Sequence, residues 1–243
     1  MANNYFDATG VLVLDQVTPV ISTLFGRFRL DPTYPGNGKA YIARISYYRV
    51  PQWNDVLVDL TALAARLDLP VPDMGDDEGE EDDSNEGGGD LSIEVVLDLL
   101  ASHFGAEEDT DLQTLIKHHG FQDEADLEAL FVIATAFDDG HRLIAVEFEG
   151  CWHCSKPRLF EFGGHGCFLS REVTLYGDSS QAIYLGQDLR KALLAGDLDE
   201  AAARLALEAS GWLESIHDER TRESLRLRLT ERLLANTAPH RSL

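Results

Sequence analysis

Three cysteines and two histidines between residues 151 and 167 are the side chains whose types and spacing come nearest to a chemical site. Cys151-x-x-Cys154 encloses His153, and His165-x-Cys167 follows after ten intervening residues. A structural zinc ion takes four soft or borderline ligands in a tetrahedron, and two cysteines three positions apart on a tight loop supply half of one without strain. The candidate metal set is therefore Cys151, Cys154, His165 and Cys167. Small buried thiols on strands account for the same cysteines, because a free cysteine packs as a small hydrophobe. In a regular strand 165 and 167 share a face while 151 and 154 do not, which counts against the metal. A Cys/His nucleophilic dyad is a third possibility, with no separate residue indicated to orient it. Glu147 and Glu149 fall on one strand face, an arrangement that suits a solvated sheet as well as acid/base chemistry.

The elements that must position these residues lie between Arg142 and Gly177. Ile144, Val146 and Phe148 alternate with Leu143, Ala145, Glu147 and Glu149, the period of a half-buried strand. Leu159, Phe160 and Phe162 follow the Ser155-Lys156-Pro157 break as a return strand, and the run from Cys167 to Tyr176 is a third. Gly163-Gly164-His165-Gly166 reads as the tight connection between them. The expectation is a central three-stranded antiparallel core.

Before it, the pattern predicts a βαβα unit over residues 1–72. Val11 to Leu14 is a short buried strand, and Thr18-Pro19 starts a helix with threonine as N-cap and proline at the first position. Residues 31–38 are turn chemistry throughout, Lys39 to Tyr48 is a strand, and Trp53 to Leu67 repeats its apolar residues at helical steps. Residues 73–90 read as an acidic, disordered linker, since one methionine is their only large apolar residue. Residues 91–243 form the second predicted domain. It opens with a helical layer in which Ser92 caps one helix, a shorter helix follows near Asp111 to His118, and Asp123 caps a third. After the strands come a helical hairpin, punctuated by Gly196 and Asp197, and a terminal helix from about Asp218 to Ala235 rich in arginine. The fold class is α+β. The phrase ALLAGDLDEAAARLALEA resembles the helix hairpin of a tetratricopeptide unit; it occurs once, which implies a hairpin and no solenoid.

The chain of 243 residues carries 43 acids against 20 bases, a formal charge of −23. That charge is concentrated. Residues 73–90 hold ten acids and no base, residues 91–140 hold twelve acids and one base, Lys117, and the remaining segments are close to neutral. No apolar run approaches the ~18 residues of a membrane span, and the amino terminus lacks the basic and apolar regions of a secretory signal. An odd number of cysteines in a chain of this length fits a reducing cytoplasm better than a disulfide framework.

No GxSxG, HExxH or Walker lysine motif is present. The charge distribution points instead to an interaction protein whose acidic face meets a basic surface. The partner-binding candidates are Asp76, Asp77, Glu78, Glu80, Glu81, Asp82 and Asp83 in the linker, with Glu107, Glu108, Asp109, Asp111, Glu124, Asp126 and Glu128 on the helical layer. In charge pattern and lack of catalytic motifs the chain resembles the acidic anti-CRISPR and anti-restriction inhibitors of mobile elements. That resemblance implies a basic nucleic-acid-binding protein or ribonucleoprotein complex as partner, inhibited by steric or competitive binding, in the cytoplasm and with no membrane. Direct binding to DNA is disfavoured, because the negative charge repels phosphate. Two other readings stand beside it: a small zinc-stabilised module, and an enzyme with a dispersed active site.

Overall fold

The computed structural model describes residues 4–71, 91–156, 159 and 161–235. It is an α+β protein with one antiparallel sheet of six strands in the order β2-β3-β1-β4-β5-β6. The strands are β1 (Asn4–Val13), β2 (Asp31–Pro35), β3 (Lys39–Arg44), β4 (Ala145–Cys154), β5 (Gly163–Ser170) and β6 (Thr174–Asp178). The helices are α1 (Pro19–Phe25), α2 (Trp53–Arg66), α3 (Ile93–Phe104), α4 (Thr110–His118), α5 (Leu127–Ala136), α6 (Ser179–Ala195), α7 (Leu198–Glu214) and α8 (Glu219–Ala235). The chain divides into two compact units, Asp7–Val146 and Met1–Phe6 with Glu147–Leu243. Helices α3 to α5 belong to the same unit as the amino-terminal elements. The linker residues 73–90 lie outside the described residues.

In the Asp7–Val146 unit, β1 and β3 pair from Ala8↔Arg44 to Val13↔Lys39. Thr18 caps α1, its hydroxyl accepting from the Ile21 N–H, with Pro19 at the first position. Helix α2 carries a capping box between Gln52 and Asp55. Ser92 caps α3, and Gly105 ends it in the left-handed conformation that glycine adopts without a Cβ penalty. These helices bury Ile21, Leu24, Phe25, Trp53, Leu60, Leu97 and Leu100 together with Leu12 and Ile42 of the sheet. Each such side chain contributes about 1.5–3 kcal/mol by leaving water.

The other unit is built differently. Its buried apolar residues are few, among them Phe148, Cys154, Leu169, Ala192 and Ala201. Helices α6 and α7 form the expected hairpin, joined through Gly196 in the left-handed region and Asp197, which caps α7 on the Glu200 N–H. Gln181 donates to Glu208 across it. Along α8 no residue is buried.

Five expectations change. Residues 31–35 are a strand, so the amino-terminal order is βαββα; β2 sits at the sheet edge, where Pro32 and Pro35 cost no internal ladder bond. Strand β1 extends back to Asn4, well before Val11. The return strand is β5, which runs through Gly163 to Gly166, while Leu159 and Phe162 are exposed and outside any strand. The run from Cys167 to Tyr176 is broken at Ser170, whose hydroxyl accepts from the Glu172 and Val173 N–H groups and turns the chain into β6. Ile144 precedes β4 and is exposed, whereas Leu143 is buried.

Candidate functional site

Antiparallel alternation puts the beginning of β1, the end of β4, the beginning of β5 and the end of β6 at one end of the sheet. All four lie in the unit of residues Met1–Phe6 and Glu147–Leu243. There a cavity of about 780 Å³ is lined by Asn4 and Tyr5 of β1, Trp152 and His153 of β4, residues 161–165 around the start of β5, Asp178 of β6 and the first turns of α6 up to Gln187. The volume is within the range of small-ligand clefts.

The walls are aromatic. Tyr5 stacks on His153 with ring centroids 5.2 Å apart, and Phe6 packs against Trp152 at 4.5 Å and edge-on to His165 at 5.9 Å. Trp152, Phe162 and Tyr184 line the cavity and are each more than half exposed, at 52%, 58% and 64%. One wall depends on a close approach of backbone to side chain. The Gly164 N–H donates to the Ser179 hydroxyl at 3.0 Å, and a Cβ on Gly163 would come to 3.2 Å of the same oxygen.

Asp178 joins sheet to helix without a loop. Its Cα partner across the strands is His165, and its carboxylate accepts from the Ser180 hydroxyl and from the Ser180 and Gln181 N–H groups at 2.7 and 3.0 Å. The Ser180 hydroxyl first, then those two N–H groups, hold this carboxyl below the usual range, with a further contribution from His165; exposure leaves little desolvation to oppose them. The Ser180 hydroxyl and the Ser180 and Gln181 N–H groups are thus taken up within the protein, and Asp178 stays ionised.

The sequence-derived acidic candidates are placed as follows. Asp76, Asp77, Glu78, Glu80, Glu81, Asp82 and Asp83 lie outside the described residues. Glu107 and Glu108 are exposed between α3 and α4, Asp111 is exposed in the first turn of α4, and Glu128 in the first turn of α5. Three others make the following contacts. Asp109 caps α4 by accepting from the Asp111 and Leu112 N–H groups. Glu124 accepts from Arg44 at 2.5 Å. Asp126, and not Asp123, caps α5 through the Ala129 N–H, while its second oxygen bonds His119 Nε2 at 2.9 Å. Asp123 instead takes a positive φ of 59° just ahead of that helix.

The metal set does not assemble. Cys151 and Cys154 lie within one continuous strand, where residues three apart point to opposite faces; Cys151 is exposed and Cys154 buried. His165 packs against Phe6 in the aromatic wall, and Cys167 on β5 pairs opposite Tyr176. Among the described residues no group of three or more His, Cys, Asp or Glu side chains is arranged to hold a metal ion. A strand in place of the expected loop is the physical reason: it cannot bring Cys151 and Cys154 to a common centre. All three cysteines are free thiols.

Sequence reasoning missed the cavity because its lining is drawn from four separate stretches of the chain, none of which carries a local motif. The aromatic residues at adjacent strand ends were the available signal. Among the described residues no helix is long and apolar enough to cross a membrane. No protein-family model matches this chain, and no curated protein or solved structure matches it either.

Proposed function

We propose that this chain is a non-enzymatic acidic interaction protein of the cytoplasm that binds and inhibits a basic nucleic-acid-binding protein or ribonucleoprotein complex, in the manner of anti-CRISPR and anti-restriction inhibitors. The observation that carries the reading is the placement of Glu107, Glu108, Asp111 and Glu128, exposed on a segment with twelve acids and a single base. Clustered carboxylates on a folded surface create a directed field that raises the association rate with a positive partner. The same field competes with phosphate for the partner's lysines and arginines, and displacing nucleic acid is how the inhibitor works.

Charge reversal at exposed positions tests this. Asp109, Glu124 and Asp126 are unsuitable because each has a cap or ion pair to lose. In the triple variant E107K/E108K/D111K, a partner recovered from host lysate at low salt is expected to be lost while far-UV circular dichroism stays native. A partner retained equally by the variant, or recovery of none by the native chain, sinks the proposal.

A further inference from the structure

We infer that the aromatic cavity at the end of the sheet receives the guanidinium group of an arginine side chain presented by the basic partner. The inference takes its ligand class from the proposed function and gives that partner a specific point of attachment.

The chemistry of the lining selects a cation. Among the described residues two carboxylates, Glu161 and Asp178, border the cavity, and no lysine or arginine does. An anionic ligand would need donors, and the nearest obvious source, the amino-terminal turn of α6, has given the Ser180 and Gln181 N–H groups to Asp178. That capping carboxylate also offsets the positive end of the helix dipole. A phosphate or carboxylate therefore meets like charge, whereas a cation meets two carboxylates.

The rings narrow the class further. Trp152, Phe162 and Tyr184 leave more than half their surface in water while bordering a concave space, which costs free energy unless something covers them. A cation over an aromatic face is attracted by the ring quadrupole, most strongly for tryptophan. Guanidinium answers both features: its plane stacks on an indole or phenol ring while its fork of N–H donors reaches a carboxylate, which the compact ammonium of lysine does less well. A cavity of about 780 Å³ exceeds one arginine side chain, leaving room for the neighbouring peptide.

The test needs no partner. N-acetyl-arginine amide is titrated into the 15N-labelled full chain, and the indole N–H of Trp152 is followed against those of Trp53 and Trp212. Saturable shifts confined to Trp152 are expected, with the uncharged N-acetyl-citrulline amide binding about tenfold more weakly. Asp178→Asn keeps an N-cap residue and removes the charge, so it is expected to weaken arginine binding about fivefold without unfolding α6. Tyr184→Ala, on an exposed helix position, is expected to weaken it by a similar factor while the Trp53 and Trp212 signals stay native. Equal binding of citrulline, no saturable shift below about 20 mM, a level weak for even one cation–π contact, or tight binding of adenosine in place of arginine overturns the inference. If arginine amide binds and no basic partner is ever recovered, the cavity reading holds and the inhibitor reading fails. Recovery of a partner whose binding the E107K/E108K/D111K variant abolishes, with no arginine shift at Trp152, is the opposite result.

Discussion

Asp126 shows how one carboxylate can serve two elements at once. One oxygen caps α5 and the other holds His119, whose Nδ1 accepts from the Phe121 N–H and whose ring packs on Phe121 and Trp53 at 4.4 and 5.1 Å. Asp126→Ala is expected to lower unfolding free energy by about 1–2 kcal/mol, read from the urea midpoint, because the helix loses its cap and His119 its partner. Asp126→Asn retains a capping oxygen and is expected to lose less than half of that. If both variants cost the same, the charge and not the cap carries the effect. In the sequence Asp123 reads as the cap of this helix; the shift to Asp126 goes with the bridge between Gln52 and Glu124 and the Ala125 N–H donating to Pro51, long-range contacts that no local pattern encodes. Gly163 belongs to the same scale. Gly163→Ala crowds the Ser179 hydroxyl and is expected to cost about 0.5–1.5 kcal/mol, the worth of the Gly164 bond it disturbs.

Among the elements, helices were legible wherever a cap and an apolar stripe agreed. Thr18 before Pro19, Ser92 before Ile93 and the Gly196-Asp197 pair all mark observed boundaries, because capping is satisfied within a few residues of chain. Strands were less so. Proline in β2 and glycine in β5 both read as turns, and only pairing with β3 and β6 overrides that preference. Helix α8 is the reverse case, a helix foreseen from its sequence that the fold leaves without burial. Leu227, Leu233 and Leu234 are 67%, 61% and 69% exposed, and Arg226 pairs along the helix with Glu223. Hydrogen bonds on a helix with no buried face open by local fraying, so α8 amides are expected to exchange at least about a hundredfold faster than those of α3, which buries Val96, Leu97 and Leu100. Hydrogen exchange by mass spectrometry reads this directly. Protection of α8 equal to that of α3 means that another surface covers its leucines in solution.

For the whole molecule the question is whether its charges attract or repel in sum. Exposed pairs such as Arg27–Asp59 at 2.6 Å and Arg204–Glu200 at 2.8 Å each contribute about 0–1 kcal/mol and weaken as salt rises. Against them stands a net charge of −23, most of it carried by residues 73–140. Self-repulsion of that density opposes the compact state and is relieved by screening. Raising NaCl from roughly 20 mM to roughly 500 mM shortens the screening length from about 20 Å to about 4 Å, so repulsion between elements is removed first. The expected result is a rise in Tm of about 2–4 °C, equivalent to about 1 kcal/mol for a chain of this size. A fall in Tm over the same range means that the ion pairs dominate and that the acidic surface is already compensated. Acid acts through a different set of groups. Asp31, Asp178 and Asp218 are held below the usual carboxylate range, in each case first by a neighbouring hydroxyl, that of Thr33, Ser180 or Thr221. A carboxyl whose folded value lies below its unfolded one binds its proton more tightly when unfolded, so its contribution is complete above the ordinary range and disappears as pH falls through the folded value. Stability is therefore expected to drop below about pH 4, with α6 and α8 affected through their Asp178 and Asp218 caps, and added salt is not expected to restore it there, since protonation removes the acceptor itself. Salt and acid titrations followed by circular dichroism separate the two effects: rescue by salt at pH 7 alone identifies repulsion, and rescue at both pH values contradicts the role assigned to the caps.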